Sequence, residues 1–367
     1  MSVPVQRNPM DSMKSSWRDR PEIWTRNHHL LGRFNPYGED PEKPFPVHKK
    51  TDPIPVLTDW SANLWILAHA LWPMVVHRAF TALTGWNLHP IGAFLLYTFA
   101  LKFNAFRELW AIRIIAQKVG FLDGDKHVRD DIPDVGVDKA ARALNMTTTV
   151  RPLLAVFLTY RSAAPVMFSK WVPVELFLYS IVLDFFFYTY HRSCHEVEWL
   201  WKYHRTHHLT KHPNPLLSAY ADTEQEVIEI ALVPLLTFAS LRLMGLPMNF
   251  YDWWLCHEFV LFSEAIGHSG LRISSTPPGL STWVLSLIGA ELTIEDHDLH
   301  HRQGWKKSQN YGKQTRLWDL IFGTCGERIE GKAENIDYNN KINMPLYNQD
   351  ALAILFGNKA KTSGKAS

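Results

Sequence analysis

An all-α bundle of membrane-embedded helices, with a water-facing helical cap that carries a histidine cluster, is the fold class this sequence predicts. Three observations predict it. Long stretches lack any charged residue, 15 of the 367 residues are tryptophan, and eight of the 18 histidines gather into three short clusters. Charge-free runs near 20 residues match a bilayer's thickness, and tryptophan rings favour membrane interfaces. Mean hydropathy is nevertheless slightly polar, which fits a few membrane segments joined to a large aqueous part.

The elements follow in chain order. The first thirty residues hold no apolar core of the signal-peptide kind, so targeting is expected from internal segments. Residues 1–59 contain nine of the 22 prolines, which forbids a long helix and predicts an extended N-terminal arm. From Trp60 to Val76 and from Ala79 to Leu101 run 17 and 23 residues without Asp, Glu, Lys or Arg. The "GWNLHP" turn signal between them predicts a membrane hairpin. A polar section near 121–145 reads as an aqueous loop. Apolar character returns at 171–190, where Glu175 and Asp184 interrupt the run, and a carboxylate in such a setting needs a partner. Further apolar helices are expected at 230–246 and 253–270. The chain after 325 reads as a polar tail, poorly ordered over its last sixteen residues. The resulting division is an extension (1–59), a catalytic domain (60–325) and a C-terminal tail (326–367).

A net charge of +2 removes the basic surface that nucleic acid requires. Cys194, Cys256 and Cys325 are odd in number and widely spaced, so a disulfide framework is not expected.

The histidines carry the chemistry. They stand as His191 and His195 (HxxxH), His204, His207 and His208 (HxxHH), and His297, His300 and His301 (HxxHH). On a helix, residues three and four apart share a face, so three short helical faces can deliver eight nitrogen donors to one place. An isolated HxxxH is as often coincidence as site. Three clusters within 111 residues are a metal site, and eight donors exceed the roughly four that one zinc takes, which argues for two metals. Hydrolytic zinc sites of the HExxH type place a glutamate base between their ligands, whereas here the intervening residues are Arg-Ser-Cys, Arg-Thr and Asp-Leu. Iron, with nitrogen-rich ligation and open positions for oxygen, suits oxidation of an unactivated carbon. Trp199, Trp201 and Tyr203 read as anchors at headgroup depth, with Lys202, Arg205 and Lys211 in the aqueous layer, where basic residues suit an acidic partner.

"HRSCH", "HRTHH" and "HDLHH" in that order, with "DFFFYTYHR" before them and "NYG" and "WDLIFGT" after, resemble the integral-membrane fatty acid hydroxylase and sterol desaturase superfamily over roughly residues 170–325. The resemblance implies a non-haem di-iron oxygenase of the endoplasmic reticulum membrane, multi-pass, with its site in a cytosolic cap. It implies two iron ions, O2 as oxidant, and NAD(P)H-derived electrons delivered by cytochrome b5 and its reductase. No HPGG sequence of a fused cytochrome b5 is present, so the donor is expected to be separate.

The implied ligands are His191, His195, His204, His207, His208, His297, His300 and His301, with His268 as a ninth. Glu264 and His257 stand outside that set as further candidates. Asp184, Asp298 and Glu295 are candidates to orient the imidazoles, since ligating histidines commonly lean on a carboxylate. "SAYADTEQE" carries Asp222 and Thr223 where the family often has His-Pro, a departure that leaves the subfamily open. The expected activity is hydroxylation or desaturation of a sterol, fatty acyl lipid or lipid-like metabolite. The alternatives are an aldehyde- or ether-lipid-processing enzyme of the same superfamily and a non-catalytic zinc-binding membrane protein.

Overall fold

The computed structural model describes residues 9–34, 44–304 and 308–347. Residues 352–367, expected to be poorly ordered, lie outside this range. The described chain is mostly helical. α1 (Arg26–Arg33) lies in the proline-rich arm, held by a Thr25–His28 capping box. α2 (Asp59–Thr84) runs unbroken through Pro73 and stops at Gly85, whose φ of 71° needs glycine. The turn expected at "GWNLHP" therefore falls where predicted, and α3 (Pro90–Val119) starts with proline at its first position. α4 (Val137–Thr159) and α5 (Val172–Glu196) follow. α6 (Thr223–Val227) continues through a π-turn into α7 (Val233–Leu243). α8 (Phe250–Gly267) starts at Asn249, whose side chain accepts the Tyr251 and Asp252 amides. Three short helices complete the chain: α9 (Leu280–Ser286), α10 (Ile294–Gln303) and α11 (Leu317–Phe322).

Among the described residues, α2 and α5 are long and apolar enough to cross a membrane by length and composition. The α2–α3 tip exposes Leu83, Trp86 and Ile91. One core packs Tyr97, Tyr179, Phe187, Trp253 and Trp254 between α3, α5 and α8. A second packs Trp65, Ile115, Phe262 and Ile294, joining α2, α3 and α8 to α10.

The arm and the region after 325 both belong to this packed body. Trp17 and Leu31 are fully buried beside Val137, Leu216 and Tyr220. β1 (Ile54–Leu57) pairs in parallel with β2 (Ile336–Ile342), starting at Ile54 opposite Ile336. All three cysteines are free.

The buried carboxylates of α5 find their partners. Glu175 accepts the Met248 amide at 2.6 Å, and Asp184 accepts the amides of Lys313, Gln314 and Thr315. Asp184 thereby ties the 313–315 loop to the helix that carries His191 and His195.

Candidate metal centre

Each of the three clusters is held by a different local device. His191 and His195 lie one turn apart near the end of α5. His297, His300 and His301 lie on α10, whose Thr293–Asp296 capping box and terminal Gly304 fix both its ends. The middle cluster departs from expectation. His204 closes one 3-10 turn (Trp201–Tyr203) and His207 and His208 open another (His207–Leu209), so these three sit on no α-helix. The "WLWKY" linker is too short to reverse the chain and start a new helix, and tight turns bring the rings back against α5 instead.

All nine imidazoles meet in one buried chamber, and they separate into two groups. His191, His195, His204, His208 and His300 form one, and His207, His268, His297 and His301 form the other, with the candidate donor atoms of each group within 4.8 Å of one another. The two HxxHH motifs exchange members. In 204–208 the outer histidines serve the five-membered group and His207 serves the four; in 297–301 the outer pair serves the four and His300 serves the five. On α10 the helical period explains the split, because positions one and five overlap while position four points to the other side of them.

Ring nitrogens converge closely. Nε2 of His208 lies 3.1 Å from that of His195, 3.0 Å from that of His204 and 3.1 Å from that of His300. In the other group Nε2 of His268 lies 2.9 Å from that of His297 and 3.4 Å from that of His207. A neutral ring nitrogen has either one proton or one lone pair, so the three Nε2 atoms around that of His208 cannot all be satisfied as hydrogen bonds. Separations of about 3.0–3.4 Å are those of nitrogens each about 2.1 Å from a shared cation. His191 Nε2 and His301 Nε2 are buried with no partner at all, a cost of about 1–3 kcal/mol each unless something fills the centre. On these grounds the donor set fits two metal ions.

The opposite ring atoms settle the tautomers. Nδ1 of His191 faces the Tyr311 carbonyl at 2.8 Å, that of His300 the Gln309 carbonyl at 2.7 Å, and that of His268 the Glu264 carbonyl at 2.8 Å. His207 and His301 face the carbonyls of Tyr220 and Thr210 at 3.4 and 3.3 Å. A carbonyl only accepts, so Nδ1 carries the proton and Nε2 offers its lone pair inward. Burial first, and then the charge of neighbouring imidazoles or of Lys313, holds His204, His207, His208, His268, His297, His300 and His301 well below the ordinary imidazole range. They are neutral, as metal ligands must be.

The expected carboxylate supports work differently. Asp184 holds the 313–315 loop, Glu295 accepts the amides of Ile329, Glu330 and Gly331, and Asp298 pairs with Arg129 and Arg302. All three brace the segments that carry the ligands. None hydrogen-bonds a clustered imidazole; in five of the nine rings a backbone carbonyl takes that position instead. His257 lies outside both groups, against Trp253 and Tyr179. Glu264 is also outside them, its carboxylate 3.6 Å from Arg151 and 3.8 Å from Lys313. Trp201, read as an interface anchor, is buried with its ring 5.1 Å from that of His195, while Trp199 is exposed. Arg205, placed in the aqueous layer, is engaged by both carboxylate oxygens of Asp11 at 2.7 and 2.8 Å. The N-terminal arm is thus strapped over the second cluster.

Beside the four-membered group lies an open-sided cavity between α3, α4, α8 and residues 215–230. Leu101, Leu109, Leu144, Ile230, Leu261 and Phe262 make much of its wall apolar. Ala221, Glu264 and Lys313 line its metal-side end, next to the carbonyls that His207 and His268 use. Burial would lower the Lys313 pKa, but Glu264 and Glu229 outweigh it and hold the ammonium above the ordinary lysine range. The cavity residues Glu108, Arg151, Glu226 and Glu258 were not singled out from the sequence, since nothing in their neighbourhoods shows that they face one space.

The fatty acid hydroxylase family model matches residues 176–324. The fatty acid hydroxylase vlmA of Lecanicillium sp is 41% identical over 331 residues, covering 85% of this chain and 90% of that protein. Methylsterol monooxygenase 2-1 of Arabidopsis thaliana is 28% identical over 262 residues, 66% of this chain and 90% of its own length. The very-long-chain aldehyde decarbonylase GL1-11 of Oryza sativa subsp. indica is 29% identical over 178 residues, 48% of this chain and 62% of its own. No solved structure matches.

Proposed function

Given that the chain belongs to the fatty acid hydroxylase family, and so to the oxidoreductases that oxidise lipid substrates, we propose that it is a di-iron, O2-dependent membrane oxygenase acting on an unactivated carbon of a hydrophobic molecule. The observation that carries this reading is the resolution of nine buried imidazoles into groups of five and four. His191, His195, His204, His208 and His300 would hold one iron, and His207, His268, His297 and His301 the other. Bound there, the two irons would supply the reduction of dioxygen that C–H oxidation requires.

The chain's own residues do the rest. Backbone carbonyls keep Nδ1 protonated and the ring aimed in His191, His207, His268, His300 and His301, which is the pre-organisation such a site needs. With four nitrogens against five, the group beside the cavity is the one with more open coordination positions. The apolar wall of the cavity positions an alkyl chain against it and excludes water. Lys313, paired with Glu229 and Glu264 at 3.4 and 3.8 Å, keeps a positive charge at the metal-side end.

α2 and α3 form the membrane hairpin of this reading and α5 crosses beside them, with the chamber on the cytosolic side of the endoplasmic reticulum membrane. The catalytic unit is centred on residues 60–325. Electrons come from NAD(P)H through a separate cytochrome b5 and its reductase. Purified from membranes at full length, the protein should carry about two irons per chain and consume dioxygen as a lipid product heavier by one oxygen or lighter by two hydrogens accumulates. Stable zinc with no dioxygen uptake would overturn the proposal in favour of a non-catalytic metal binder.

A further inference from the structure

The cavity's polar atoms are a feature the oxidation chemistry does not use. Glu108, Glu226 and Arg151 are 4, 5 and 1% exposed, and all three line it. Oε1 of Glu108 and both carboxylate oxygens of Glu226 are buried without a hydrogen-bond partner, as are Nε and Nη1 of Arg151. Their neighbours are already engaged. Glu258 accepts from Asn104 at 2.9 Å, and Glu229 accepts from Gln225 at 2.7 Å. A purely hydrocarbon ligand would leave three acceptor and two donor atoms dehydrated and unpaired, at about 1–3 kcal/mol each. A wall made only to hold an alkyl chain has no reason to carry them.

These atoms also state what would satisfy them. Carboxylate oxygens call for donors and a guanidinium edge calls for an acceptor. The two cations of the wall, Arg151 and Lys313, already face Glu264 and Glu229, so a free carboxylate or phosphate, which supplies acceptors alone, would gain only the spare Arg151 N–H groups, leave Glu108 and Glu226 unpaired and bring negative charge beside them. An amide or a hydroxyl supplies both kinds of partner and no charge. We infer that the substrate is a lipid whose head group is neutral and both donates and accepts hydrogen bonds, an acyl amide or an alcohol, held by Glu108, Glu226 and Arg151, and not a free fatty acid. This inference rests on the oxygenase reading for what happens to the bound chain, but the head-group selection itself requires no metal.

The test uses the full-length protein in nanodiscs, in metal-free and iron-loaded forms. Binding is read by displacement of a fluorescent lipid with five probes: a primary fatty amide, the fatty alcohol, the free fatty acid and the alkane of one chain length, and a sterol alcohol. The amide or the alcohols should bind at least about tenfold tighter than the acid and the alkane in both forms. Comparing the straight-chain probes with the sterol separates the two sources of the same head chemistry. Glu226→Ala and Glu108→Ala should each shrink that preference by about tenfold while alkane affinity moves less than about twofold. Glu226→Gln, isosteric and still able to accept one bond, guards against misfolding and should keep a partial preference. A free acid that binds tightest, or a ranking untouched by all three substitutions, would overturn the inference and leave a merely water-filled hollow. A ranking that holds without dioxygen uptake supports the inference and counts against the oxygenase reading; uptake without the ranking does the reverse.

Discussion

The two histidine groups are built from the same residue type by the same folding devices, yet they differ in company. The five-membered group is closed in by aromatic rings: Trp201 lies 5.1 Å from His195 and Tyr311 5.4 Å from it, centroid to centroid. The four-membered group instead backs onto the cavity through the Tyr220 and Glu264 carbonyls and feels the Lys313 charge. One group has five imidazoles closed in by aromatic rings, while the other has four and adjoins the cavity. A pair of metal positions with nearly identical ligands can therefore have unequal roles, set by what stands behind the rings.

Substitution of ligands would break the comparison most strongly. His207→Ala and His300→Ala should each lower turnover by at least roughly 10²-fold while the protein stays in the membrane fraction. Their metal contents should differ. Removing His300 leaves four imidazoles and retains a weakened ion, whereas removing His207 leaves three and drops the content from about two per chain to about one. Iron counted after gel filtration decides it, and equal losses would erase the asymmetry.

α10 serves both groups, so disturbing its supports should weaken both alike. Asp298→Ala removes the buried carboxylate that Arg129 and Arg302 share and should cost about 3–5 kcal/mol, read as a fall in the thermal midpoint, with iron lost from the two positions in equal measure. Loss confined to one group would show that α10 is not the common support.

Acid acts on the same brace more gently. Burial alone would raise the Asp123 carboxyl, but hydrogen bonds from Lys50 and His212 and the nearby Arg302 hold it at about 2. A folded value below the unfolded value of about 3.9 gives stability that is complete above it and lost as pH falls toward 2, about 2 kcal/mol in all. Asp123→Asn should flatten that part of the stability profile, measured by unfolding between pH 5 and 2.

Much of the centre was legible because spacing is visible in a sequence. Eight of the nine histidines stand out by their close spacing, while His268 stands alone and was suggested by the family resemblance; Glu175 and Asp184 betrayed themselves as charges inside an apolar run that had to find partners. Which group each ring joins was not legible, because it depends on where three distant segments meet. Nor was the identity of the acceptors behind the rings: Tyr311, Gln309 and Glu264 act through carbonyls that every residue possesses. The cavity's Glu108, Arg151 and Glu226 lie in three separate segments, and only packing reveals that they face one space. On the scale of the fold, the "GWNLHP" turn announced itself through glycine and proline, whereas β1–β2 pairing joins segments about 280 residues apart, with nothing local to show it.

The exchange of members between the two HxxHH motifs has one more consequence. Each motif is a braid of two threads, and the order of its strands is written only as distance along the chain. Losing one residue between His297 and His300 would not thin one thread; it would rotate His300 and His301 away from both centres at once. The information in these five-residue words is thus carried by their intervals, and a miscount in either would be felt by both histidine groups.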